Sequence, residues 1–353
     1  MIQGSAALEE ALRSGHQPSV TAEVWQSNRR VGPLEVSDGR VTQSGSQFQR
    51  RSGSVTVRPT TEALEWLAQP GACVRVWRGV QGLGKGIPVL WGPARAPKRA
   101  LWSSELEVSV EDLSRRVLRD KFPSPRRTTP GTTIAAQILL LWRESVPWCG
   151  WDDDTMDATA VPAITWDSDR AQAITDLSAS IGCESWMRPD GTVMLRRLTS
   201  LLTRTVHTVR QRVNLSSQAL SHDWDATFNH VVVRSDSTDS RVTGQWADFD
   251  SPTGITQCGR NLLAVSSAAV TTDAQAKVMA QTLVLRSQGA RVSGEWTSVL
   301  HPGVEVGDVH QVTSDLGQHR FVLDGVSWDL HGAGMDVQGR IPSIADGLEE
   351  GVA

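Results

Sequence analysis

The sequence predicts a mainly β protein with an α/β middle, in which two similar β-barrel or sandwich units flank a helix-containing region. Three observations carry this. Apolar and polar residues alternate with period 2 near both ends of the chain. The helical period is confined to the middle and to one later segment. The two alternating regions also share an order of short motifs.

Residues 5–13 read as a short helix. From Ser19 onward SVTAEVWQ, PLEVSDGRVTQSG and GSVTVRP alternate and are punctuated by Gly, Pro and Asn, so they read as strands. Asp38-Gly39 suits a two-residue hairpin turn. A strand over 73–77, a Gly-rich turn and a strand over 89–91 follow. LWSSELEVSVEDL then places Leu106, Val108 and Val110 on one face. The middle changes period. Thr residues after Pro130-Gly131 cap a helix over 132–144, and Pro147 stops it. A second helix over 167–181 carries Ala171, Ile174, Leu177 and Ile181 at helical spacing, with Gly182 as its stop. SWMRPDGTVML is a hairpin turned at Pro189-Asp190-Gly191. Strands resume with NHVVVRS and RVTGQWAD. One helix begins at Thr272, with Gln275 in the capping-box position and Ala276, Met279, Ala280 and Leu283 along one face. Strands then run to Arg340, before a tail expected to fray.

Two stretches overlay. Pro70-Gly71 precedes a Val-x-Val strand, Val89-Leu90-x-Gly92 follows, and an alternating strand ends the unit. Pro302-Gly303 precedes Val304-Glu305-Val306, also read as a strand; Val322-Leu323-x-Gly325 follows, and residues 335–338 alternate. The expected organisation is an N-terminal helical arm (1–18), a first β domain (19–125), an α/β middle (126–222), a second β domain with one helix (223–342) and a flexible tail (343–353).

Composition narrows the class. The 353 residues suffice for more than one domain, and 39% hydrophobic with 21% charged residues is the balance of a folded soluble protein. A formal charge of −4 argues against a general nucleic-acid binder. The longest apolar run, IAAQILLLW, is far short of the roughly 20 residues a membrane span needs. MIQGSAALEEALRSG lacks the apolar core of a signal peptide, so synthesis and folding in a cytoplasm are expected. In that compartment Cys73, Cys149, Cys183 and Cys258, with no CxxC pair, read as buried reduced thiols. The chain has 14 Trp, no Tyr and only four lysines (Lys85, Lys98, Lys121 and Lys277) among 35 basic residues, a bias that fits a GC-rich genome.

The motifs that suggest chemistry each fail on spacing or context. GVQGLGKG (79–86) resembles a P-loop, but Gly86 stands where a Ser or Thr would bind Mg²⁺, and a strand follows instead of a helix. Asp152-Asp153-Asp154 with Asp157 lacks the alternation, central Gly and terminal Glu of a calcium loop. Asp236 and Asp239 read as a polar hairpin tip. His301, His310, His319 and His331 show no zinc spacing. His222-Asp223 has no GxSxG partner for a hydrolase triad. The carboxylate pairs Glu62/Glu65 and Glu105/Glu107, of the kind a glycosidase uses, sit in ordinary solvent-facing patterns. The tryptophans are spread through every segment and are expected to fill cores. No residue is assigned as catalytic, cofactor-binding or metal-ligating, no cofactor is expected, and the chain is not expected to be an enzyme.

The order GSVTVRPTTEALEWLAQPGACVRVWRG, PVLWGP, EDLSRRVLRDKF and PGTTIAAQILLLW resembles the N-terminal half of minor tail proteins of actinobacterial phages. FNHVVVRS, WADFDSPTGI, TTDAQAKVMAQTLV, HPGVEVGDV and FVLDGVSWDL resemble the second half of tail-hub proteins. The resemblance implies a homotrimer whose subunit holds two tube-type β domains. Six similar units around a channel would then adapt a six-fold tail tube to a three-fold tip. It implies a baseplate-hub role in the virion, with the tail tube, distal tail, tape-measure and central tip or spike proteins as partners. Phage DNA would pass transiently through the bore, without membrane insertion by this chain. A bore of that kind is expected to be neutral or acidic, since a basic wall would grip phosphates. With no lysozyme-like or peptidase-like segment in view, a minimal hub is expected. The alternative is a tail-associated carbohydrate-binding or cell-wall-degrading protein.

Overall fold

The computed structural model describes residues 2, 4–12, 17–99, 104–197, 205–222, 227–235, 242–251, 253–267, 269–288 and 292–341. Helix α1 (Ala6–Leu12) leads into β1 (Pro18–Gln26) and β2 (Arg29–Leu34). Ser27 and Asn28 join these strands with φ of 46° and 61°, the geometry of a two-residue turn matched to strand twist. Strands β3 (Val36–Ser44) and β4 (Arg51–Val57) follow. The expected turn at Asp38-Gly39 is instead inside β3, beside a bulge. Glycine serves close approach there: a Cβ on Gly39 would lie 2.5 Å from the Ser54 carbonyl and 2.7 Å from Leu330. Helix α2 (Thr61–Ala68) is capped by the Thr60 hydroxyl, which accepts from the Ala63 N–H. The meander β5 (Cys73–Val80), β6 (Ile87–Arg99) and β7 (Leu106–Glu111) completes the first β unit, and α3 (Ser114–Arg119) leaves it.

The middle contains β8 (Arg126–Arg127), α4 (Ile134–Ser145), β9 (Gly150–Asp153), β10 (Thr165–Trp166), α5 (Arg170–Ser180), β11 (Cys183–Met187) and β12 (Thr192–Arg197). Thr133 and Asp169 cap α4 and α5 by accepting from Ala136 N–H and Gln172 N–H. Gly182, at φ 67°, returns its N–H to Ala179 as a helix stop. The two helices bury Ile138, Leu141, Trp142, Ile174 and Leu177 in one core with Val193 and Leu195 of β12.

Next come β13 (Thr205–Arg210), β14 (Leu215–His222), β15 (His230–Ser235), β16 (Thr243–Ala247), α6 (Ile255–Cys258), β17 (Leu262–Ser267) and α7 (Asp273–Gln288). Strands β18 (Val292–Val299), β19 (Val309–Ser314), β20 (Gly317–Asp329) and β21 (Gly334–Arg340) follow. Strands β16-β15-β17 form a small separate sheet covered by α7, with Val231, Val233, Ala276 and Ala280 between them. Strands β13 and β14, which lie before the expected boundary at 222, pair with β19 and β18.

The two β units have the same plan. The first runs β3-β4-β7-β6-β5 across its sheet and the second β14-β18-β21-β20-β19. Every neighbouring pair in both is antiparallel. The units are not separate, because β20 pairs with β3 from Gly325↔Ser44 to Asp329↔Arg40. A single 13-stranded sheet results, and it stays open among the described residues, so no closed barrel forms. One core serves both units, joining Val41, Val55 and Val108 to Val326, Trp328 and Val337. Burial alternates strictly along β7 and β21. A one-residue slip of β7 would turn Leu106, Val108 and Val110 to water, at about 1.5 kcal/mol or more each.

One expected strand is absent: Val304-Glu305-Val306 forms two successive turns. Val304 N–H bonds the His301 carbonyl, Asp308 N–H bonds the Glu305 carbonyl, and Gly307 takes φ 91°. The turns leave Glu305 buried, where a strand would have alternated it with its neighbours. Cys73, Cys149 and Cys183 are buried as expected, but Cys258 at the end of α6 is exposed. Burial pushes the Cys183 thiol up to about 12.

Candidate assembly surface

The motifs weighed for chemistry are dispersed and internally satisfied. Residues 79–86 form the β5–β6 turn, with Gly82, Gly84 and Gly86 at φ of 85°, 80° and 82°. Lys85 there donates to Glu23 at 2.6 Å and covers the Trp77 ring at 4.6 Å. Burial works against ionisation of Glu23, yet its bonds from Lys85 and Arg30 hold it below the usual carboxylate range. Asp152 and Asp154 are held by Arg196, and Asp157 by Arg197. Among the described residues, no group of three or more His, Cys, Asp or Glu is placed to hold a metal ion. Glu62 and Glu65 are exposed on α2, and Glu105 pairs with Arg58 at 3.5 Å. No tryptophan among the described residues is exposed. Asp223, Asp236 and Asp239 lie outside the described residues.

The histidines are less ordinary. His301 accepts from Gly303 N–H through Nδ1, which leaves Nε2 to donate to Glu9 of α1 at 2.9 Å. With Ile2 N–H on the Gly303 carbonyl at 2.7 Å, this fastens the N-terminal arm to the second β unit. His310 is fully buried, its ring 5.0 Å from His207 and 6.0 Å from Trp296. Burial, with His207 and His301 nearby, lowers its pKa well below the usual histidine value.

Three parts of the chain meet at a buried ionic junction. Arg51 of β4 donates to Glu305 at 2.9 Å and to the Gln43 side chain at 3.2 Å. Gln43 in turn donates to the Val304 carbonyl at 3.0 Å and accepts from Val306 N–H. Arg188, at the β11–β12 turn of the middle region, lies 3.5 Å from the other Glu305 oxygen. Burial opposes the charge on Glu305, but Arg51 and Arg188 outweigh it and hold the carboxyl below the usual range. Asp112 accepts from the backbone N–H groups of Arg51 and Ser114, yet burial still pushes it up to about 6. The same turn docks on the first unit. Gly191 packs so closely on Trp91 that a Cβ would fall 2.4 Å from the ring. Arg75 lies over Trp91, Trp77 and Trp25 and donates to the Asp190 carbonyl. Sequence reasoning missed this junction. Its one signal was a charged residue, Arg51, in step with core-facing Val55 and Val57 of β4.

The opposite face of the large sheet is open and polar. Two adjoining hollows cross it, one over β14, β18, β21, β20 and β3, the other over β3, β4, β7 and β6. Thr42, Ser52, Ser54, Ser109, Ser217, Thr297 and Ser327 supply short hydroxyls. Arg40 is paired with Asp329 and Asp336, Arg95 with Glu111, and Arg340 with Asp324. Glu107 and Glu295 add exposed carboxylates, and Lys98 stands opposite Glu107 in the β6–β7 register.

The fold built from two copies of one strand plan, fused through β20 and β3, is shared with solved tail proteins. A tail protein from Neisseria meningitidis MC58 matches with a TM-score of 0.67 at 16% identity, over 92% of this chain and 98% of that one. The 43 kDa tail protein of prophage MuSo2 from Shewanella oneidensis matches at 0.64 and 13% identity, over 92% and 99%. The E. coli c3393 protein, a type VI secretion component with structural similarity to T4 tail proteins gp27 and gp5, matches at 0.56 and 10% identity, over 91% and 76%. No family profile and no curated protein matches the sequence.

Proposed function

We propose that the chain is a structural hub at the tip of a phage tail, three copies of which close into a ring of six similar β units. The observation that carries this is the repeated strand order in one continuous sheet. A three-fold object that presents six like units can seat on a six-fold tube. In this reading residues 19–125 and 223–342 supply the two ring units, and β13 and β14 complete the second. The α/β middle meets the central tip or spike proteins, and the ring meets the tail tube, distal tail and tape-measure proteins.

The polar face lines the bore through which DNA passes. Its hydroxyls and paired arginines leave few uncompensated cations to neutralise phosphates and release their counterions. The role is structural and its place is the virion. Among the described residues no helix is long and apolar enough to cross a membrane. Size-exclusion chromatography with light scattering on the purified chain is the test. A mass of three chains is expected, and a stable monomer at every concentration overturns the reading.

A further inference from the structure

We infer that the second β unit carries an acid-sensitive latch: proton uptake by His310 lifts β13 away from β19 and loosens the N-terminal arm, while the first unit stays closed. The inference does not depend on the ring reading above.

A file of rings crosses the second unit. By ring centres His301 lies 5.8 Å from His207, His207 5.0 Å from His310, and His310 6.0 Å from Trp296. Trp296 continues the file to Phe321 at 5.0 Å and Phe321 to His319 at 5.9 Å. His310 is fully buried, and neither of its ring nitrogens has a hydrogen-bond partner among the described residues. A neutral imidazole presents one donor and one acceptor, and a charge with a second N–H is costlier still to bury unpaired. The groups around it offer no relief. His207 of β13 and Phe321 of β20 are its register partners, and Trp296 of β18 covers a further side. Glu9 of α1 is bonded to His301, Glu305 to Arg51, and Asp308 to the Glu305 N–H. His207, His301 and the chain's amino group each oppose a further charge on the ring. A protonated His310 must therefore reach water.

The way out is through β13. Trp296 and Phe321 are buried, whereas His207 is only partly covered. Among the described residues β13 has one strand neighbour, β19, paired in parallel with the register broken between Thr205 and His207. Parallel pairs hold slightly less per residue than antiparallel ones, and segments with few neighbours open locally at lower cost. The arm depends on the same place. His301, beside His207, bonds Glu9 and takes the Gly303 N–H, and the Gly303 carbonyl holds Ile2. The first unit and the middle have no counterpart, because residues 17–206 contain no histidine. The closed form keeps His310 neutral well below its ordinary 6.5, and the open form binds the proton. Opening is therefore favoured about ten-fold for each pH unit below about 6.5, until the closed ring itself titrates.

Hydrogen exchange of the full chain, read by mass spectrometry at pH 7.5 and 5.5, tests this. Each rate is divided by that of the unfolded chain at the same pH, which removes the intrinsic effect of acid. Peptides from β13 and α1 are expected to open about ten-fold more at pH 5.5, with β3, β4 and β7 unchanged. His310→Phe is expected to abolish that gain. His310→Gln, polar but without a titrating group, serves as the second variant and is expected to do the same. An equal gain in both variants, a gain shared by β3, β4 and β7, or no gain in the unaltered chain each overturns the latch. A gain in β13 without one in α1 overturns its link to the arm.

Discussion

Replacing Glu305 by glutamine removes one charge from the junction between the two β units and the middle region. The Arg51 and Glu305 side chains are only 5% and 9% exposed, and their N···O distance is 2.9 Å. Glutamine keeps the shape and an acceptor oxygen, but it leaves the Arg51 guanidinium buried with Gln43 and the more distant charge of Asp112 as its compensation. Breaking one side of a buried pair costs about 3–5 kcal/mol, most of it the uncompensated charge. Urea unfolding at pH 7, followed by tryptophan fluorescence, is expected to show a loss of that size. The double change Arg51→Met with Glu305→Leu removes both charges and is expected to recover most of it, since apolar replacement of a buried pair is often close to neutral. The folded carboxyl titrates below its ordinary 4.5. Its contribution is therefore complete above about pH 4.5 and lost as pH falls through the folded value. A Glu305→Gln loss under about 1 kcal/mol at pH 7 would refute the claim that this pair fixes how the three parts meet.

His310→Phe is expected to reduce acid sensitivity. The folded imidazole stays neutral well below its ordinary 6.5, so the unfolded chain takes up a proton first. Stability then falls as pH drops below about 6.5, by up to about 1.4 kcal/mol per pH unit. Unfolding free energies at pH 7.5 and 5.5 should differ by about 1 kcal/mol less in the variant; equal differences would remove His310 from the account. Thr42→Arg with Ser54→Arg adds two unpaired cations to the polar face. In phage carrying the pair, tails are expected to assemble at normal yield while DNA delivery falls about ten-fold or more at low salt. Unchanged delivery would mean that this face does not line the bore.

Local features were legible because they depend on residues close in the chain. The Thr133, Asp169 and Thr272 caps, the Gly182 stop and the Pro189-Asp190-Gly191 turn each involve bonds spanning a few residues. The misreadings arose where a local signal had a non-local cause. Gly39 is glycine because Ser54 and Leu330 press on its backbone, and residues 304–306 are turns because Arg51 and Gln43 draw that loop inward.

The sequence by itself determined most of the strands and helices, their order, and the likeness of the two β units, with residues 304–306 and the Asp38-Gly39 turn as the departures. Period-2 burial and side-chain capping are written at short range, and they survive without knowledge of any distant neighbour. Only the tertiary structure decided that β20 lies beside β3, that Arg51 meets Glu305 and Arg188, and that α1 is pinned at His301. An exposed strand edge offers the same N–H and C=O groups to every partner. Which strand fills it is settled by the shape of the shared core, and that shape exists only once the whole chain has folded.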